Sequence, residues 1–133
     1  MRSKNGFRKN KYGNHKVVIA GIEYDSQKEA DRYKELQLLE KAGKIENIKR
    51  QVPFELIPKQ TEIVERYSDK TGKRLKDKEK TLEHPCSYIA DFVYYDREAG
   101  QWIVEDAKGY KTPEYKIKRK LMLYVHGIKI REV

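Results

Sequence analysis

Cysteine is nearly absent from this chain. Cys86 is the only one among 133 residues, so no intramolecular disulfide can form and no zinc site can rest on cysteine ligands. A chain without disulfides suits a reducing compartment, and a cytoplasmic location is the expectation. Long apolar runs are also missing. Nothing approaches the ~18 consecutive apolar residues of a membrane span, and the N-terminus lacks the apolar core of a signal peptide, so no membrane insertion is expected. Histidine is sparse, and His15, His84 and His126 show no metal-ligand spacing. His126 precedes Gly127 at an expected helix end, where a cation suits the dipole. No internal repeat is found.

What the chain has is charge. Charged residues make up 38%, as many as the hydrophobic ones and well above the usual quarter or so. A single domain with a modest core under a charged surface is the expectation. Lys and Arg number 30 against 21 acids, a net charge of +9. This excess favours polyanions, because each phosphate neutralised releases a condensed counterion. A solubilising surface or attraction to an anionic membrane would carry the same charge. Residues 1–16 hold Arg2, Lys4, Arg8, Lys9, Lys11, His15 and Lys16 around Gly6 and Gly13. They read as a flexible basic arm, either touching phosphates or merely solvated. Residues 17–133 read as one domain.

Val17 to Tyr24 is β-prone and suggests a strand or hairpin edge. Ser26-Gln27-Lys28-Glu29 is a capping box that opens a helix. Ala30, Tyr33, Leu36 or Gln37, and Leu39 or Leu38 repeat at helical spacing, and Gly43 is the expected stop. Gln51 to Ile57 alternates as a strand, with Pro53 pointing to an edge or a bulge. Residues 60–82 form a charged insertion. Within it Thr61 to Tyr67 can extend the sheet, Asp69 to Gly72 reads as a turn, and Lys73 to Lys80 as a solvated loop. Tyr88 to Tyr95 and Gln101 to Lys108 are strands joined by a turn at Arg97 to Gly100. Thr112-Pro113 starts a second helix, with Ile117, Leu121 and Tyr124 as its apolar stripe and Gly127 as its end. Ile128 and Ile130 suggest a final strand. The order is helix, strand, strand pair, helix, strand: an α/β domain with helices around a mixed sheet.

The informative stretches are Ile89-Ala90-Asp91-Phe92-Val93 and Val104-Glu105-Asp106-Ala107-Lys108-Gly109. Both strands are apolar, yet both carry interior carboxylates, which are costly to bury unpaired. A four-residue turn would set Asp96 opposite Gln101, Val93 opposite Val104 and Asp91 opposite Asp106, at about 5 Å between Cβ atoms. A five-residue turn would set Asp91 opposite Glu105 instead. Asp106 and Lys108 share a face because strand side chains alternate. Glu105 then points the other way, to structure or to solvent. Two adjacent carboxylates repel unless a cation lies between them, and oxygen-only ligation suits Mg²⁺ or Mn²⁺. A lysine beside them can orient an attacking water or steady developing charge, which makes a site for phosphodiester hydrolysis. The competing account is a buried ion-pair network in which Lys108 neutralises Asp106. Lys116, Lys118, Arg119 and Lys120 on the second helix, with Lys111 just before it, make a basic face suited to tracking phosphates or simply solvated. Of the 10 tyrosines, some can stack on unpaired bases, while Tyr33 and Tyr124 read as core.

Asp91, followed by Asp106-Ala107-Lys108, resembles the core motif of the PD-(D/E)XK nuclease superfamily, with Ala90 where the signature's proline stands. The fuller resemblance is to small phage and prophage proteins assigned to that superfamily. It lies in Asp25-Ser26-Gln27-Lys28-Glu29-Ala30 with Arg32-Tyr33, Gln51-Val52-Pro53-Phe54, Tyr88-Ile89-Ala90-Asp91-Phe92 and Glu105-Asp106-Ala107-Lys108-Gly109. It covers roughly residues 14–126. The resemblance implies a restriction-endonuclease-like αβββαβ core. It makes Asp91, Asp106, Lys108 and Glu29 catalytic. Asp91, Asp106, Glu29 and the Ala107 carbonyl become ligands to Mg²⁺ or Mn²⁺, and Gln51 an accessory. Glu29 has a rival duty as the capping-box acid. The expected activity is metal-dependent DNA endonuclease cleavage, with branched DNA such as Holliday junctions among the expected substrates, and junction cleavage would call for a homodimer. In a phage setting the location is the host cytoplasm. Two other classes stay open: a non-catalytic nucleic-acid-binding accessory protein, and a phage protein that binds and inhibits a host factor.

Overall fold

A computed structural model describes residues 16–133. The basic arm expected over residues 1–16 lies outside them except for Lys16, which pairs with Glu23 at 3.1 Å. Strands β1 (Val17–Ile19) and β2 (Ile22–Tyr24) form an antiparallel hairpin. Helix α1 (Gln27–Lys41) begins where the capping box places it, with Ser26 Oγ accepting from the Glu29 amide at 3.2 Å. Gly43, at φ +75°, ends it in the left-handed conformation that glycine adopts without a steric cost. Strand β3 runs from Ile45 to Ile57, so it starts earlier than the alternation from Gln51 suggested. A bulge between Glu46 and Lys49, with Asn47 at φ +56°, interrupts the pattern there.

The insertion becomes β4 (Gln60–Tyr67) and β5 (Arg74–Glu83), two strands that pair with each other and, among the described residues, with no other strand. Two expectations are corrected here. Thr61 to Tyr67 does not extend the central sheet, and Lys73 to Lys80 lies mostly in a strand. Cross-strand pairs such as Glu62–Lys80 and Val64–Lys78 satisfy the backbone of a segment whose composition reads as loop. Strands β6 (Cys86–Asp96) and β7 (Gln101–Asp106) follow. Next come α2 (Pro113–Leu121), a wider π-type turn at Met122–His126 and the short strand β8 (Arg131–Glu132).

The central sheet has the order β3-β6-β7-β8, antiparallel except for the parallel β7–β8 pair. Without the two hairpins, the order is helix, three strands, helix, strand. Pro53 lies on the edge strand β3, where a missing N–H costs little. Leu36, with Tyr33 and Leu39, packs on Ile45, Phe92, Tyr94 and Ile103, so α1 covers one face. Tyr115 and Met122 pack on Leu56, Tyr88, Val93 and Val104, so α2 and its π turn cover the other. The expected stripe on α2 is corrected. Ile117 and Tyr124 are 60% and 88% exposed, and Leu121 is only partly buried. Tyr115 and Met122, seven positions apart, lie on one side of the helix and bury that side instead.

Strands β3 and β6 change face at one shared rung. Ile48 packs with the α1 core, but Val52, Phe54 and Leu56 pack with the α2 core. On β6, Phe92 and Tyr94 join the first, while Tyr88 and Ala90 join the second. Strict alternation would keep all these even-numbered residues of a strand on one face. The pairs Arg50–Phe92 and Val52–Ala90 flank the switch, which places Gln51 opposite Asp91. Gln51 sits at φ +52°, a left-handed conformation that costs a non-glycine residue on the order of 1 kcal/mol and gathers at functional sites.

Candidate metal centre

The four-residue turn at Arg97–Gly100 forms, with Asp96 opposite Gln101, Val93 opposite Val104 and Phe92 opposite Glu105. Asp91 and Asp106 are the next residues along this ladder. Asp91 is buried, and its Oδ2 accepts from the Ala107 amide at 2.9 Å. Its Oδ1 lies 3.4 Å from Gln51 Nε2. Asp106 is fully buried. Tyr88 donates to its Oδ2 at 2.5 Å, and its Oδ1 has no hydrogen-bond partner among the described residues. Lys108, partly exposed, holds Nζ 3.8 Å from that Oδ1 and 5.4 Å from the centre of the Tyr115 ring.

Glu29 divides its carboxylate. Oε2 accepts from the Asp25 amide at 3.0 Å, an amide just ahead of the cap. Oε1 accepts from Gln51 Nε2 at 2.9 Å and lies 3.5 Å from Arg50 Nη2. Arg50 is itself stacked over Tyr24 and Tyr33. One oxygen of Glu29 thus holds the chain entering the helix, at Asp25 and not at the amide of the capping serine, and the other faces Gln51. Gln51 spans Glu29 and Asp91 from its left-handed position. Asp25, Glu29 and Asp91 each present a carboxylate oxygen within 4.8 Å of the others, a group that could hold a metal ion.

The electrostatics follow from this crowding. Burial pushes the Asp91 carboxyl up to about 7, and the charge of Asp106 adds to it, while the Ala107 amide works against it. Burial also raises Asp106, opposed by the hydrogen bond from Tyr88 and the charge of Lys108. Glu29 is raised by its own burial and then by Asp91. Burial, and then the Asp106 charge, pushes the Tyr88 hydroxyl far up, so it stays a proton donor. A cleft of about 310 Å³ opens onto the group, lined by Asp25, Gln51, Tyr88, Asp91, Lys108 and Lys118 among others. A larger hollow of about 500 Å³ between Gln101–Val104 and Gly127–Arg131 has, among the described residues, no carboxylate in its wall.

The profile of a family described as "Protein of unknown function (DUF1064)" matches residues 9–131. The chain belongs to that family. No curated protein and no solved structure matches it.

In this DUF1064 protein Glu105 is not solvent-facing. It is fully buried on the α1 side, bound by Arg32 at 2.5 and 3.0 Å and by the Tyr94 hydroxyl at 2.5 Å. Ala107 joins the centre through its amide. Lys111, just ahead of α2, and the basic residues of the helix itself divide. Lys111 and Arg119 pair with Glu132 at 3.1 and 3.0 Å, and Lys118 with Glu114 at 3.1 Å while lining the cleft. Lys116 and Lys120 are exposed, with no ion pair among the described residues. Asp25 and Tyr88 stand inside the resembling segments without being named as site residues there. The Tyr88 contact depends on where Asp106 points, which local pattern does not report. No helix among the described residues is long and apolar enough to cross a membrane.

Proposed function

We propose that this protein is a divalent-metal-dependent endonuclease acting on DNA phosphodiesters, with a PD-(D/E)XK-type site on a restriction-endonuclease-like core. The observation that carries the reading is a buried Asp91 beside a buried Asp106 whose Oδ1 lacks a hydrogen-bond partner, with Lys108 next to that oxygen. Structural carboxylates at this depth normally have both oxygens hydrogen-bonded, as Glu105 has in the same strand, whereas Oδ1 of Asp106 has only the Lys108 ammonium at 3.8 Å. The donor set is all oxygen, which suits Mg²⁺ or Mn²⁺. Asp91 and Asp106 would hold the ion, with Glu29 Oε1 and the Ala107 carbonyl as further donors and Asp25 near enough to join. When bound, such an ion supplies positive charge to phosphate oxygens and acidifies water.

The chain's own groups divide the remaining work. Tyr88 fixes one oxygen of Asp106, and the Ala107 amide fixes one oxygen of Asp91. Gln51 ties Asp91 to Glu29. Lys108 stands in the wall of the cleft, suited to orienting the attacking water and steadying negative charge that builds on the phosphate. Lys118 lines the same cleft, and Lys116 and Lys120 are free to track the backbone.

The test is a panel of labelled linear, flapped and four-way DNA with and without Mg²⁺ or Mn²⁺. Wild type should cut at least one member only with metal. Lys108→Ala and Asp106→Asn should each lower the rate by about a hundredfold or more without loss of DNA binding. Bound but intact DNA in Mn²⁺ would replace the enzyme with an accessory protein. Stable capture of one host protein, with no DNA affinity at moderate salt, would replace both with a host-factor ligand.

A further inference from the structure

The β4–β5 ribbon is almost wholly exposed. Every residue of β4 except Val64 is exposed, as is every residue of β5 except Thr81. Among the described residues neither strand has a second neighbour. An isolated two-stranded hairpin is marginal in water, and an open edge invites pairing with another chain. The two edges differ. β5 carries Arg74, Lys76, Lys78 and Lys80, and lysine along an edge guards against strand addition. β4 reads Gln60-Thr61-Glu62-Ile63-Val64-Glu65-Arg66-Tyr67, with an apolar, β-branched centre and no proline or lysine.

We infer that the outer edge of β4 pairs antiparallel with β4 of a second copy of this chain, about a two-fold axis at Val64. In that register Val64 faces its own copy. Glu62 faces Arg66 of the copy, and Arg66 faces Glu62. Thr61 meets Tyr67, and Ile63 meets Glu65. Residues 62, 64 and 66 share one face of the strand, so both ion pairs and the Val64 contact lie on the same side. Shifting the register by one residue would set Glu62 against Glu65 and lose this match. Within the chain Glu65 is already engaged, by Arg74 at 3.5 Å and by the Tyr67 hydroxyl at 3.0 Å. Glu62 and Arg66 have no ion pair among the described residues. Residues 60–83 carry seven basic and six acidic side chains. That near-balance suits a self-complementary protein contact better than a polyanion.

The experiment is sedimentation velocity of the full chain over a wide concentration series. Wild type should form a reversible dimer. Glu62→Arg and Arg66→Glu each set two like-charged pairs across the axis, and should raise the dissociation constant by about tenfold or more. The doubly swapped variant should return close to wild type. In a Cys86→Ser background, Val64→Cys should cross-link on mild oxidation, because the two thiols would meet on the axis. A monomer at every concentration overturns the inference, as do a dimer indifferent to both swaps and a double variant as weak as the singles. Swaps that change DNA affinity while leaving the mass unchanged would assign the ribbon to nucleic acid instead.

Discussion

Asp106 stores free energy that the fold alone does not need. Its carboxylate is fully buried beside Asp91, with one oxygen lacking a hydrogen-bond partner. Asp106→Asn keeps the acceptor for Tyr88 and removes a charge from a crowded pocket. The metal-free variant should be more stable than wild type by about 1–2 kcal/mol at neutral pH, seen as a higher urea midpoint. A less stable variant would point to Asp106 as a structural ion-pair member neutralised by Lys108. The carboxylates and Lys108 were legible because acids inside apolar strands demand a reason. Gln51 was legible only through resemblance. Its importance comes from a left-handed backbone and a hydrogen bond to Glu29 from a strand distant in sequence, and local pattern reports neither.

Elements were legible where local chemistry decides them. Ser26, Thr112, Gly43 and Gly127 mark helix ends through caps and φ preferences that depend on immediate neighbours. The four-residue turn was readable as an alternative and fell on the register that brings Asp91 next to Asp106. Tertiary choices were not legible. The burial of Tyr115 and Met122 over Ile117 depends on where α2 lands, and the strand at Arg74–Glu83 depends on a partner strand. The attachment of α1 rests on another such choice, the buried Glu105 held by Arg32 from the helix and by Tyr94, whose hydroxyl also accepts from Arg131. Arg32→Met would leave Glu105 with a charge and too few donors. It should lower stability by about 3 kcal/mol, read as a fall in the thermal midpoint, and Glu105→Gln in that background should recover part of the loss. A near-neutral Arg32→Met would mean that α1 is held by apolar contact alone.

For the whole molecule, the raised carboxylates set a pH dependence of known sign. Asp91, Asp106 and Glu29 hold protons more tightly folded than unfolded. Their favourable contribution is complete below the unfolded carboxylate range near ~4 and is lost as pH rises through the folded value, about 7 for Asp91. Glu132 is the opposite case. Its burial alone would raise it, but Lys111 and Arg119 hold it below the usual range, so its contribution is lost only in more acidic solution. Metal-free protein should therefore melt at a lower temperature at about pH 8 than at about pH 5, and added Mg²⁺ should narrow the gap at the higher pH. A midpoint that rises across that window would overturn the assignment of these groups as crowded acids. The shared rung of Gln51 and Asp91 has a consequence at the same scale. The sheet carries two separate cores, one under each helix, and β3 and β6 pass from one to the other at that rung. Beyond that rung the two cores lie back to back on the same strands, Phe92 and Ile103 on the α1 side and Val93 and Val104 on the α2 side, so a disturbance at the centre is felt under both helices at once.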